Sequence, residues 1–196
     1  MKKIKLYSLL LVCITTLGSC IKNDDIVYNG QLAEIDAASW NANAAGVTYP
    51  ILTRRAPENR PISTSLDSTL RRWSVTTRVR VNLVGAHSAK DETVGYKVFT
   101  SPITSIAFPA TISGQTPALG AATLAVTDAV SGVHYGALNG KVTIPANSSF
   151  GYIDIQILNP GATAGQAKFL GIELDATGTI KPSTNYNKVG LVIDQR

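Results

Sequence analysis

Arginine is the residue type whose placement first points to chemistry. Arg54, Arg55, Arg60, Arg71, Arg72, Arg78 and Arg80 fall between positions 54 and 80, opposed only by Glu58 and Asp67. A stretch of that sign suits phosphates, acidic glycans or lipid headgroups. Arg54, Arg55, Arg71 and Arg72 are the residues expected to carry such a contact. A solvated loop and strand face explains the same charges without any ligand. The second binding chemistry is aromatic, because exposed rings stack on the apolar faces of sugars. Its candidates are Trp40, Tyr49, Trp73 and Tyr96. Trp40 sits in the polar run Ala38-Ser39-Trp40-Asn41-Ala42-Asn43 and is the better placed of the two tryptophans, with ordinary packing as the competing reading. Trp73 shares odd parity with Val75 and Val79, which makes it a core plug or edge cap.

Catalysis would need a constellation, and the sequence offers none. The two histidines, His87 and His134, both fall in turn-forming runs and read as solvated. No nucleophile elbow, zinc spacing or phosphate-cradling glycine loop is present. Asp154 and Glu173 lie on polar strand faces and would serve glycoside hydrolysis only if neighbouring strands brought them about 5–10 Å apart; two separately solvated acids are the alternative. The expectation is a protein without enzymatic activity, cofactor or metal. Nucleic acid is not an expected partner, since no recognition motif accompanies the basic stretch.

The N-terminal twenty residues have a different logic. Lys2, Lys3 and Lys5 precede an apolar stretch from Tyr7 to Leu17, and Leu17-Gly18-Ser19-Cys20 closes it. The stretch is shorter than the roughly 20 residues that a membrane-spanning helix needs, so residues 1–19 read as a cleaved signal peptide. The small-small-Cys ending resembles the bacterial lipobox, which implies that the Cys20 thiol is acylated and that the mature chain starts there. Cys13 then leaves with the signal, so no intrachain disulfide is available. Residues 20–30 form a lipidated tether. Within it, Lys22, Asp24 and Asp25 resemble the surface-export signal of Bacteroidota lipoproteins, implying an outer-membrane protein anchored by lipid and facing the cell exterior. The periplasmic face, with a plain solvated spacer, is the alternative. The formal charge of +5 changes meaning accordingly. Three of those charges leave with the signal, and from Val81 to Arg196 seven basic residues meet seven acidic ones.

What must position these residues is strand, not helix. Charged residues make up 16% of the chain, and Gly and Pro number 16 and 9, a mix that suits short strands joined by turns. Apolar residues alternate at Val75, Thr77, Val79, Val81 and Leu83, at Ile153, Ile155 and Ile157, at Leu170, Ile172 and Leu174, and at Val189, Leu191 and Ile193. Further strands are expected at 94–100 and 141–144, an edge strand at 32–36 and a short one at 47–53. The Pro-containing segment near 100–123 reads as a long loop. Residues 31–196 are expected to form one all-β domain, a sandwich or barrel.

The runs Gly132-Val133-His134-Tyr135, Gly140-Lys141-Val142-Thr143-Ile144-Pro145-Ala146-Asn147 and Ile153-Asp154-Ile155-Gln156-Ile157 together resemble a Calx-beta domain. That resemblance implies an immunoglobulin-like antiparallel β-sandwich. Many Calx-beta domains hold calcium through the acid of an Asp-Tyr turn and acids ending the long alternating strand. Here those places read His134 and Leu158-Asn159-Pro160-Gly161, so no calcium is expected. The closing run Ile180-Lys181-Pro182-Ser183-Thr184-Asn185-Tyr186-Asn187-Lys188-Val189-Gly190-Leu191 is similar to small Bacteroidota lipoproteins encoded beside SusC/SusD-type uptake systems. This implies an accessory binding or interaction module with a polysaccharide or a SusC/SusD-type protein as partner. A structural or adhesive surface module is the alternative, and a hydrolase a remote one. Asp67-Ser68-Thr69 matches the short pattern of Bacteroidota O-glycosylation, which implies modification at Ser68.

Overall fold

The computed structural model describes residues 30–36, 46–55 and 67–196, and every structural statement below concerns those residues. The expected signal peptide, Cys20, Lys22, Asp24, Asp25, Trp40 and Arg60 lie outside them.

Eleven strands follow one another: β1 (Gln31–Ile35), β2 (Ile51–Leu52), β3 (Thr76–Gly85), β4 (Glu92–Phe99), β5 (Ser105–Phe108), β6 (Ala122–Asp128), β7 (Lys141–Ile144), β8 (Phe150–Gln156), β9 (Gln166–Asp175), β10 (Lys181–Pro182) and β11 (Lys188–Asp194). They form two sheets. One has the order β10-β1-β3-β8. The other runs β2-β11-β9-β4-β7, with β6 beside the start of β9 and β5 beyond β6. The fold is a β-sandwich. Its long ladders are antiparallel as expected, but the sheets are mixed. β1 pairs β10, β2 pairs β11 and β6 pairs β9 in parallel. None of these pairs is joined by a tight hairpin, which is what frees them from antiparallel geometry.

Alternation explains the sandwich interior. Val79, Val81 and Leu83 of β3 and Ile153 and Ile155 of β8 are buried, with Arg78, Arg80, Tyr152 and Asp154 on the outer face. Opposite them lie Leu170, Ile172 and Leu174 of β9 and Val189, Leu191 and Ile193 of β11. Burying each such aliphatic side chain stabilises the fold by about 1.5–3 kcal/mol. Where β7 turns the corner into β8, a Cβ on Gly151 would stand 2.2 Å from the Thr143 carbonyl oxygen. Only glycine fits that crossing.

β11 breaks the alternation, being buried on both faces from Val189 to Asp194. A second core explains it. Ile51, Phe169 and Val192 point away from the sandwich interior and are covered by Phe108, Leu124 and Val126. The segment read as a loop near 100–123 is therefore corrected. Ser105 pairs Ala125 and Phe108 pairs Ala122 in a β5–β6 hairpin that caps the sheet, leaving only 109–121 as its loop. The hydrophobic signal of β5 is a mere Ile-Ala-Phe between prolines, too short to assert a strand before its partner is known.

β3 begins at Thr76, later than expected. Ser74 N–H donates to the Arg71 carbonyl at 2.8 Å, closing a turn. Val75 then adopts φ +62°, the left-handed region. Parity is lost there, so Val75 is 68% exposed and Trp73 is half-buried outside the core.

Candidate binding cleft at Trp73

Residues 67–75 are held from three sides. Asp67 starts an Asx-type turn, accepting the Thr69 N–H at 2.9 Å. Leu70 N–H donates to the Thr53 carbonyl, and Arg55 N–H to the Ser68 carbonyl, tying 53–55 to 68–70 as a short ribbon. Arg72 N–H and Leu70 C=O bond to the backbone of Asp194 at the end of β11.

Beneath this turn sits a buried ionic cluster. Arg71 Nε meets Asp67 Oδ2 at 2.7 Å, its Nη1 pairs with Asp194 Oδ2, and its Nη2 reaches the Pro109 carbonyl at 3.3 Å. Arg196 completes it, contacting Asp194 Oδ2 at 2.9 Å and the Gly120 carbonyl at 2.7 Å. Arg71 was expected to meet a ligand; at 1% exposure it is a buried structural cation, because Asp67 from four positions earlier and Asp194 from 123 positions later converge on it. Burial pushes the Asp67 carboxyl pKa upward, but the bonds from Arg71 and Thr69 outweigh that and hold it below its ordinary value.

Above the cluster opens a cleft of about 190 Å³ lined by Arg55, Asp67, Thr69, Trp73, Ser74, Val75 and Gln115. The Arg72 guanidinium lies 5.0 Å from the Trp73 ring centre and that of Arg71 5.8 Å, stacking that fixes the ring's tilt. Arg72 is further held by Asn159 Oδ1 at 2.6 Å. Among the described residues the Trp73 indole N–H meets no acceptor. Arg55 donates from Nη2 to the Asp67 carbonyl at 2.8 Å, while its Nε is shielded from solvent and has no partner. Arg54, one position earlier, is exposed. The strained Val75 forms part of the same wall. A β-branched residue in the left-handed region costs about 1–3 kcal/mol and is characteristic of functional sites.

The structure brings Arg55, Arg72 and Trp73 together and places two of the other aromatic candidates elsewhere. Tyr96 is 5% exposed and donates its hydroxyl to Asn139 Oδ1, and Tyr49 packs edge-on against Phe99 at 5.4 Å. Asp154 and Glu173, considered as neighbours, belong to different sheets. Asp154 pairs with Arg78, and Glu173 with Lys97 and Lys188. His87 is exposed as expected, but His134 is buried, its Nδ1 accepting the Val130 N–H at 3.0 Å. Burial, then the positive charge of Lys168, lowers its pKa. Ser68 is half-buried in the turn. No group of three or more His, Cys, Asp or Glu suited to a metal occurs among the described residues. Gln115, Thr69 and Ser74 were not foreseen as site residues. Only the Asp-Ser-Thr turn signature at 67–69 marked their neighbourhood.

A second cleft of about 230 Å³ lies at the β7–β8 seam, lined by Tyr96, Asn139, Lys141, Tyr152 and Asp154 among others. Its polar groups are largely committed. Asn139 Oδ1 takes both the Tyr96 hydroxyl and the Lys141 N–H, and Arg78 covers the Tyr152 ring at 4.6 Å.

No protein-family model matches this chain, and no curated protein does. Among solved structures it is similar to the apo form of the Calx CBD1 domain, with 13% identity and a TM-score of 0.40 over 63% of this chain and 87% of that one. It is also similar to a chain from Bacteroides ovatus described as a "putative carbohydrate binding protein", with 8% identity and a TM-score of 0.37 over 61% of this chain and 31% of that one. Both likenesses are partial, and the chemistry of the cleft rests on its own side chains.

Proposed function

We propose that this chain is a non-catalytic, lipid-anchored surface module that holds a sugar in the Trp73 cleft, as an accessory of an outer-membrane glycan-uptake system. The observation that carries it is the half-buried Trp73 ring beside an Arg55 Nε that donates to nothing. An apolar pyranose face stacks on the indole. Sugar hydroxyl oxygens accept from Arg55 Nε, Trp73 Nε1 and the Gln115 amide. An unsatisfied buried donor costs about 1–3 kcal/mol, and an arriving acceptor recovers part of that. At about 190 Å³ the cleft is smaller than the roughly 300 Å³ and upward of drug-sized sites, which suits one sugar ring. Asp67 supports holding over proton transfer, since it is kept ionised and committed to Arg71 and Thr69.

The anchor half of the reading rests on the lipobox-like Leu17-Gly18-Ser19-Cys20 and on Lys22, Asp24 and Asp25. Two or more acyl chains on Cys20 would hold the domain stably at the membrane. The association with uptake rests on the resemblance of the 180–191 run to lipoproteins found beside SusC/SusD-type systems.

A glycan array with the purified full chain, repeated with Trp73→Ala, tests the binding site. Signal on a polysaccharide class that disappears in the variant supports it. Silence across the array leaves a structural or adhesive module instead. Labelling with an alkyne fatty acid, lost in Cys20→Ser, tests the anchor, and protease shaving of intact cells tests the outward face.

A further inference from the structure

The arginines divide into two groups. Arg71, Arg78, Arg80 and Arg196 each have a carboxylate within ion-pair distance: Asp67 and Asp194, Asp154, Asp36, and Asp194. Arg54, Arg55 and Arg72 have none among the described residues. Arg72 donates to the backbone oxygen of Arg196 and to Asn159 Oδ1, and Arg55 to the Asp67 carbonyl. Of these, Arg55 lines the Trp73 cleft and Arg72 stacks on its ring. Asp67, the acid in its wall, does not neutralise them, because its two oxygens are taken by Thr69 and Arg71.

We propose that the cleft selects a sugar carrying a carboxylate, a uronic acid residue, with Arg55 as the group that reads the charge. The proposal rests on the sugar-binding reading above and specifies its ligand class. A carboxylate offers two planar acceptor oxygens, whereas the cleft is walled by the side chains of Arg55, Trp73 and Gln115, all hydrogen-bond donors. One oxygen takes the guanidinium N–H in a charge-assisted bond, roughly twice as strong as a neutral one. The other oxygen and the ring hydroxyls take the remaining donors. The apolar ring face, held by the C5–carboxylate bond at a fixed distance from the charge, lies on the indole. An anionic bilayer presents negative charge too, but as a plane of headgroups without an apolar ring to fill a concave site beside Trp73.

The test is calorimetry on the full chain in detergent with galacturonate, glucuronate and mannuronate oligomers, each beside its methyl ester. Acid and ester share every hydroxyl and differ only at the carboxyl group, where the ester carries a methyl in place of the charge. At least one acid is expected to bind about tenfold or more tighter than its ester, as a charge-assisted hydrogen bond implies. Arg55→Gln should bring the acid down to the affinity of the ester. The exposed Arg54→Gln, outside the cleft lining, should leave the preference of acid over ester intact. Trp73→Ala should abolish both. Acid and ester binding alike, both lost in Trp73→Ala, would overturn the charge selection and leave the sugar site standing. No binding of any sugar would overturn both. Binding to phosphatidylglycerol vesicles that depends on Arg54 and Arg55, without uronate binding, would assign the cations to a membrane and overturn the proposal.

Discussion

Arg71 and Asp194, 123 positions apart, form an ion pair in which the side chains are 1% and 0% exposed. The pair joins the turn under the cleft to the last residue of β11, and through Arg196 and the carbonyls of Pro109 and Gly120 it also pins both ends of the β5–β6 loop. Cleft and C-terminal strand are thus parts of one structure.

Removing one member of that pair leaves a buried charge short of a partner, which costs about 3–5 kcal/mol. Arg71→Met is expected to lower the unfolding free energy by that order, read as a lower urea midpoint at unchanged slope. Arg71→Met/Asp194→Leu should recover part of the loss, because the fully buried carboxylate of the pair goes with its partner. A fully stable Arg71→Met that fails only to bind ligand would show Arg71 to be a ligand contact after all.

Asp67 sets an acid limit. Its folded pKa lies below the ordinary 3.8, so its contribution is fully present above that value and is lost as pH falls through and below it. Asp67→Asn should be less stable at neutral pH, and the gap between it and the native chain should close below pH 3.8. A gap that stays constant from neutral pH down to pH 2 would contradict the assignment.

His134 titrates higher. Its neutral ring accepts the Val130 N–H, and its folded pKa is depressed below the ordinary 6.5 by burial. Stability is therefore full above pH 6.5 and declines as pH falls from there, because the unfolded chain takes up the proton first. The His134 ring signals in NMR, followed against pH, should place its midpoint below the ordinary 6.5.

Val75 offers a gain. It is 68% exposed at φ +62°, so little burial is lost on truncation. Val75→Gly removes a left-handed penalty of about 1–2 kcal/mol and adds a chain-entropy cost of about 0.5–1 kcal/mol. A net stabilisation of about 0.5–1 kcal/mol is expected, read as a higher denaturant midpoint at unchanged slope. If the strain poses the Trp73 wall, sugar affinity should fall while stability rises.

Gly151→Ala is the opposite case. Its new methyl would stand 2.2 Å from a backbone oxygen that has no rotamer to move aside. A loss of about 1–3 kcal/mol or more is expected, and an unchanged thermal midpoint would mean that β7 and β8 can separate at that corner.

Much of the sandwich was legible because a half-buried strand prints its burial at every second residue. Val79, Val81 and Leu83, and Ile153 and Ile155, were assigned inward by alternation alone and lie inward. The pattern failed where burial is two-sided or the backbone departs from extension. Val192 belongs to a second core that alternation cannot announce, and Val75 changes face through a single positive φ.

The candidate site was legible only as a neighbourhood. The excess of arginine between 54 and 80 was plain, and Arg55 and Arg72 do line or flank the cleft. Their roles were not, since Arg71 and Arg72 are identical neighbours with opposite fates, one buried on two carboxylates and the other stacked on Trp73.

Local pattern thus determined the all-β class, most strand positions and the place where positive charge gathers, because those depend on residues one to a few positions apart. The tertiary structure alone decided which arginines are neutralised, that Trp73 borders a cleft and that Asp154 and Glu173 lie on separate sheets. Each of those depends on a partner brought from far along the chain, and Coulomb attraction and desolvation act on distance in space.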